Sequence, residues 1–121
     1  WRGDSEYIAA IRYSDIKSPA LKYFLCEEAD TRGTNQGAWE LDVKSRAWVD
    51  PMAMWHNKKT TLGFADGHAE MHDWQDDHWI KWCETAMFAP QSFSFYQTPP
   101  PDQLTDVTYA AERFACKGIP R

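Results

Sequence analysis

At 121 residues the chain has room for one compact domain, spanning 1–121, with a modest hydrophobic core. Its 43% hydrophobic and 26% charged residues are the balance of an ordinary globular domain, and no run of roughly 18 apolar residues offers a membrane span. A net charge of -5, with Lys58-Lys59 as the one adjacent basic pair, excludes the electrostatic footprint of a protein that binds nucleic acid or an anionic membrane.

Residues 5–16 carry Tyr7, Ile8, Ile11 and Ile16 behind Ser5, a good N-cap residue, and predict a short helix that Ser18-Pro19 breaks. In residues 20–27, Leu21, Tyr23 and Leu25 alternate with Phe24 and Cys26, the pattern of a strand buried on both faces. Glu27, Glu28 and Asp30 close it in an acidic loop, and residues 31–37 continue as loop. Trp39, Leu41 and Val43 alternate and are followed by Trp48 and Val49, which predicts one or two short strands over 38–50. Residues 51–57 form a loop.

The sharpest local signal lies in residues 60–74. Asp66-Gly67 is a preferred pair for a tight hairpin turn, because such turns need positive φ. Centring a two-residue turn there predicts strands over 60–65 and 68–73, with Phe64 opposite Ala69 and Leu62 opposite Met71. Leu62, Phe64, Ala69 and Met71 then make the buried face. His68, Glu70 and His72 fall on the wet one. Asp76 or Asp77 caps a helix over 77–87, with Ile80, Cys83 and Met87 on one side, flanked by Trp79 and Trp82. Residues 91–103 are extended and proline-rich, with aromatics that clip them to the body. Thr105 or Asp106 starts a last helix with a stripe of Val107, Ala110, Ala111 and Phe114, ended by Gly118 and Pro120. The fold class expected is α+β: a small antiparallel sheet with flanking helices.

Seven tryptophans are an unusual number for this length. They can fill a core or offer flat surfaces to a sugar, and Trp48 and Trp55 around the 51–57 loop are the candidates for ligand stacking. Of the three cysteines, Cys26 sits in an apolar run, while Cys83 and Cys116 lie near helix ends and could pair; no CxxC spacing suggests a zinc knuckle.

His56 is followed by nine residues and then Asp66-Gly67, in the context WHNKKTTLGFADGHAE. With YSDIKSPALKYFLCEEAD upstream and HAEMHDW downstream, this resembles the bacterial prepilin-type processing-associated proteins, named for a His, nine residues and Asp-Gly. The resemblance covers residues 13–74 and leaves 75–121 as a C-terminal extension. It implies a pilin-like globular domain behind a leader and a long hydrophobic helix that the chain from Trp1 does not include. It further implies a pseudopilin-like subunit of a bacterial secretion or surface-filament system, of the type II secretion or type IV pilus kind. Such a product is anchored in the inner membrane before assembly, faces the periplasm or exterior, and contacts other pilin-like subunits through that helix. The globular part alone is expected to be soluble and mainly monomeric or weakly associated.

The site candidates follow from chemistry and motif together. His56, Asp66 and Gly67 are structural or ligand-binding. Glu27, Glu28 and Asp30, with Asp73, Asp76 or Asp77, offer hard oxygen ligands suited to calcium, and the resemblance adds a reason, since some pseudopilins staple a loop with calcium. His68, Glu70 and His72 form a stripe of transition-metal ligands, although alternate residues on one strand stand nearly 7 Å apart (twice the rise per residue). No G-x-S-x-G, Walker or G-x-G-x-x-G pattern occurs, so the reading is non-catalytic, with an extracytoplasmic carbohydrate- or solute-binding module as the alternative.

Overall fold

The computed structural model describes residues 8–30, 33 and 37–117. The fold is α+β. Its centre is a three-stranded antiparallel sheet of β2 (Tyr23–Cys26), β5 (Lys59–Phe64) and β6 (Ala69–Asp73), with β5 in the middle. Two short ladders accompany it: β1 (Ile8–Ala9) with β7 (Cys116–Lys117), and β3 (Leu41–Asp42) with β4 (Ala47–Trp48). Helices α1 (Asp77–Phe88) and α2 (Thr105–Arg113) supply the rest of the regular structure.

Strand β5 alternates half-buried and buried residues, with Thr60, Leu62 and Phe64 turned into the core. Against that face packs a tryptophan cluster. Trp48 and Trp79 stack with ring centres 3.5 Å apart, Trp74 meets both edge-on, and Trp82 adjoins Trp79 and Phe93. The stripe predicted for α1 is buried, with Ile80, Cys83, Met87, Trp79 and Trp82 all inside. On α2, Val107, Ala110 and Ala111 are buried; Phe114 lies just past the helix and bridges to Tyr23. The segment after α1 is held to the body by Phe93 and by a two-way backbone pairing of Gln97 with Trp48.

Four sequence expectations are corrected. Over the described residues 8–16 the expected helix does not form: Ile8 and Ala9 pair with Lys117 and Cys116, and residues 13–15 make a single 3-10 turn with Ile11 exposed. Pairing with a distant strand has overridden local periodicity. Ser5, Gly118 and Pro120 lie outside the described residues. Strand β2 is not buried on both faces, since Phe24 and Leu25 are about 60% exposed; it is an edge strand, with Tyr23 alone deeply buried. Cys83 and Cys116 do not pair. Cys83 sits inside the core, where burial drives its pKa far up.

The fourth correction has the widest effect. The hairpin exists, but its register differs by one residue. Phe64 pairs with His68, Gly63 with Ala69, Leu62 with Glu70 and Thr60 with His72. The loop is therefore Ala65-Asp66-Gly67, with Gly67 at φ 97, a geometry in which the glycine occupies the left-handed position of a bulge. One residue of slip exchanges the faces of the strand. His68, Glu70 and His72 lie on the side of Leu62 and Phe64, while Ala69 and Met71 face outward. A Cβ added at 67 would meet nothing within 4 Å, so the cost of substitution is mainly conformational. Gly67→Val is expected to lower stability by about 1 kcal/mol or more, measured by urea denaturation, because a β-branched residue resists positive φ.

Candidate functional site

The residues of the His-to-Asp-Gly motif occupy the two ends of β5. His56 precedes the strand, and two left-handed residues, Asn57 and Lys58, turn the chain into it. The His56 imidazole lies 3.5 Å from the Glu27 carboxylate, whose other oxygen accepts the Thr61 backbone N–H at 2.8 Å. His56 therefore braces the loop after β2 against β5. At the other end, Asp66 accepts the His68 backbone N–H and meets its imidazole Nδ1 at 2.5 Å, contacts that hold the Asp66 carboxyl below the usual range. His56 and Asp66 thus have different partners. An exposed pair such as His56–Glu27 contributes about 1 kcal/mol at most. His56→Ala is expected to lower the thermal midpoint slightly, by the same amount with and without added calcium or zinc.

Two residues of the stripe on β6, Glu70 and His72, contact α2, while His68 and Glu70 stay exposed. Phe64 stacks on His68, the His72 ring stacks on Tyr109 at 3.8 Å, and the Tyr109 hydroxyl donates to Glu70. The Arg113 guanidinium lies over the Tyr109 ring, 4.3 Å from its centre. Burial pushes the Tyr109 pKa up to about 12, assisted by Glu70. It also lowers the His72 pKa; Arg113 acts in the same direction, while Glu70 and Asp73 oppose it. A histidine held below 6.5 is neutral in the fold, and its contribution is lost as pH falls through 6.5 toward the lower folded value. The melting temperature is expected to decline over that window. His72→Phe, which keeps the stack, should remove part of the decline.

Among the described residues, no group of three or more His, Cys, Asp or Glu side chains is placed to hold a metal ion. Glu27 is committed to His56 and Thr61, and Glu28 sits in a backbone bridge to Met52. Asp30 accepts the Gly33 N–H through its carbonyl. Asp76 accepts the backbone N–H of Asp106, which in turn accepts those of Gln75 and Asp76, so each carboxylate serves the start of the other's helix. Of the stacking candidates, Trp48 is buried against Trp79 and is corrected to a core residue; Trp55 is exposed in its loop. Two grooves of about 390 and 440 Å³ adjoin at Trp39, Phe114 and Ala115, and of the sequence candidates only Glu28 lines either. No family model, curated protein or solved structure matches the chain.

Sequence reading missed Lys22 and Tyr109. Lys22 is buried and donates through Nζ to the Glu112 carbonyl, one of the unpaired acceptors at the end of α2, where a cation is favoured. Burial lowers its pKa. A lysine just ahead of β2 carries no local sign of this role. Tyr109 had one: it lies two residues beyond Val107, on the flank of the apolar stripe.

Proposed function

We propose that the chain is the globular domain of a pseudopilin-like subunit of a bacterial secretion or surface-filament system, a structural part and not a catalyst. The observation that carries this reading is the use made of the motif. His56 ties Glu27 and Thr61 at the entry of β5, and Asp66 with Gly67 shapes its exit, so the motif residues stabilise a sheet scaffold. The inward turn of Trp48, Trp74, Trp79 and Trp82 also supports it, because a sugar-binding face needs tryptophans in the open. No helix among the described residues is long and apolar enough to cross a membrane. In this reading the anchor is the hydrophobic helix that the resemblance places ahead of Trp1.

The test is fractionation of the native full-length gene product. Recovery with the inner membrane, and protease access from the periplasmic side, is the expected result; recovery from cytosol would reject the proposal. A second reading, a carbohydrate-binding module, rests on Trp55, 57% exposed. Oligosaccharides that quench tryptophan fluorescence in the parent but not in Trp55→Ala would favour it.

A further inference from the structure

We propose that β6 is a docking edge for a second copy of this chain, the two β6 strands pairing antiparallel about a two-fold axis through Met71. The proposal deepens the assembly reading and rests on it for the tether that concentrates the domains. Strand β6 ends the sheet, with β5 as its one hydrogen-bonded neighbour among the described strands. The phase of the ladder decides which backbone groups are available. Phe64 donates to the His68 carbonyl, so His68, Glu70 and His72 direct their backbone groups at β5. By alternation, Ala69, Met71 and Asp73 direct theirs at the open edge. Gln75 Nε2 already uses that row, donating to the Asp73 carbonyl at 2.9 Å.

Of the two-fold registers that keep outward residues opposite outward residues, three overlap at least three residues of each β6. One centres on Glu70 and sets two carboxylates face to face. Another centres on His72 and sets two imidazoles together. The third centres on Met71. It places Ala69 opposite Asp73 and Glu70 opposite His72, twice by symmetry, so a carboxylate faces an imidazole at each non-hydrogen-bonded pair, where side chains approach closest. On the outer face Met71, 52% exposed, covers its own counterpart. The segment Ala-Glu-Met-His-Asp is thus complementary to itself read backwards, which is why the occupant is a second copy and not an unrelated strand.

The contact is weak by itself. It buries one short strand per copy, and two chains of charge -5 repel. Tethering supplies an effective concentration on the order of a millimolar, and an edge of this size suffices there. Added salt should tighten the dimer by screening the net repulsion.

Two measurements test this. In sedimentation, the average mass is expected to stay monomeric near ~10 μM and rise as concentration approaches about 1 mM. Ala69→Pro removes an outward N–H without touching the β5 ladder and should abolish the rise. Glu70→Lys, which removes the carboxylate acceptor opposite the neutral His72 imidazole, should weaken it at least tenfold and serves if the proline variant fails to fold. In cross-linking, Met71→Cys places its thiols on a hydrogen-bonded pair with Cα atoms about 5.5 Å apart, within disulfide reach. Mild oxidation should link it at least ten times faster than Ser45→Cys, an exposed control on the β3–β4 turn. The native thiols add little background, since Cys83 and Cys116 are buried and burial raises the Cys26 pKa to about 12. Equal linking rates, a constant mass up to the highest concentration, or a dimer untouched by both Ala69→Pro and Glu70→Lys would overturn the proposal. Those results leave the membrane fractionation unaffected, so the two readings fail separately.

Discussion

Trp79→Ala is expected to cost about 3–5 kcal/mol of stability, the range for removing a large buried aromatic side chain. Trp79 is 1% exposed, stacks on Trp48 at 3.5 Å, and meets Trp74 edge-on and Trp82 at a tilt, so its loss opens a void that three other rings border. Domains of this size are stable by only about 5–15 kcal/mol, so the variant should unfold at a much lower urea concentration or be partly unfolded in buffer. Trp79→Phe should be far milder. It keeps a stacking ring and deletes an indole N–H that is buried without a hydrogen-bond partner. Trp55→Ala, at an exposed site, should change stability by no more than about 0.5 kcal/mol.

Asp106→Ala is expected to cost about 3 kcal/mol, because it leaves the Gln75 and Asp76 N–H groups without their charged acceptor at the start of α1. Asp106→Asn keeps one acceptor oxygen and should fall between alanine and the parent. The two variants also separate hydrogen bonding from charge. Burial raises the Asp106 pKa above 3.8, against the pull of its two backbone donors. A raised folded pKa means that the fold binds this proton more tightly than the unfolded chain. Protonation therefore adds stability as pH falls through the folded value toward 3.8. The parent's advantage over Asp106→Asn should grow on acidification in denaturant titrations at stepped pH. His72 acts with the opposite sign at higher pH, so the two can be told apart.

The elements legible in the sequence were those whose partners lie close along the chain. Helix α1 begins at Asp77 as expected and runs one residue further, to Phe88, because its apolar stripe is local; the expected Asp76 cap makes no side-chain bond to the helix, whose start is served by Asp106 and Gln103 instead. The Asp-Gly turn was legible for the same reason. Its register was not: alternation from Thr60 to His72 has two phases, and a glycine with positive φ serves a two-residue or a three-residue loop equally well. Tyr109 closing over His72 and Glu70 identifies the phase, and that contact crosses more than thirty residues. Ile8 and Ala9 look helical beside Ile11 until a strand at Cys116–Lys117 takes them. Trp48 could not be assigned to ligand or core from its own neighbourhood, because Trp79 decides it. In the candidate site, the spacing of His56 and Asp66 was plain, but Glu27 as the partner of His56 came from another strand end.

The pairing of Ile8 with Lys117 has a further consequence. It puts the first and last described strands side by side. A short linker across that junction, with new ends opened at the exposed Lys44-Ser45 turn, would preserve the register of β2, β5 and β6 and both helices. Circular permutation of that kind would carry the ends to the opposite margin of the β3–β4 hairpin, and any attached label or anchor with them. The direction from which the domain is held is thereby separable from the way it is folded.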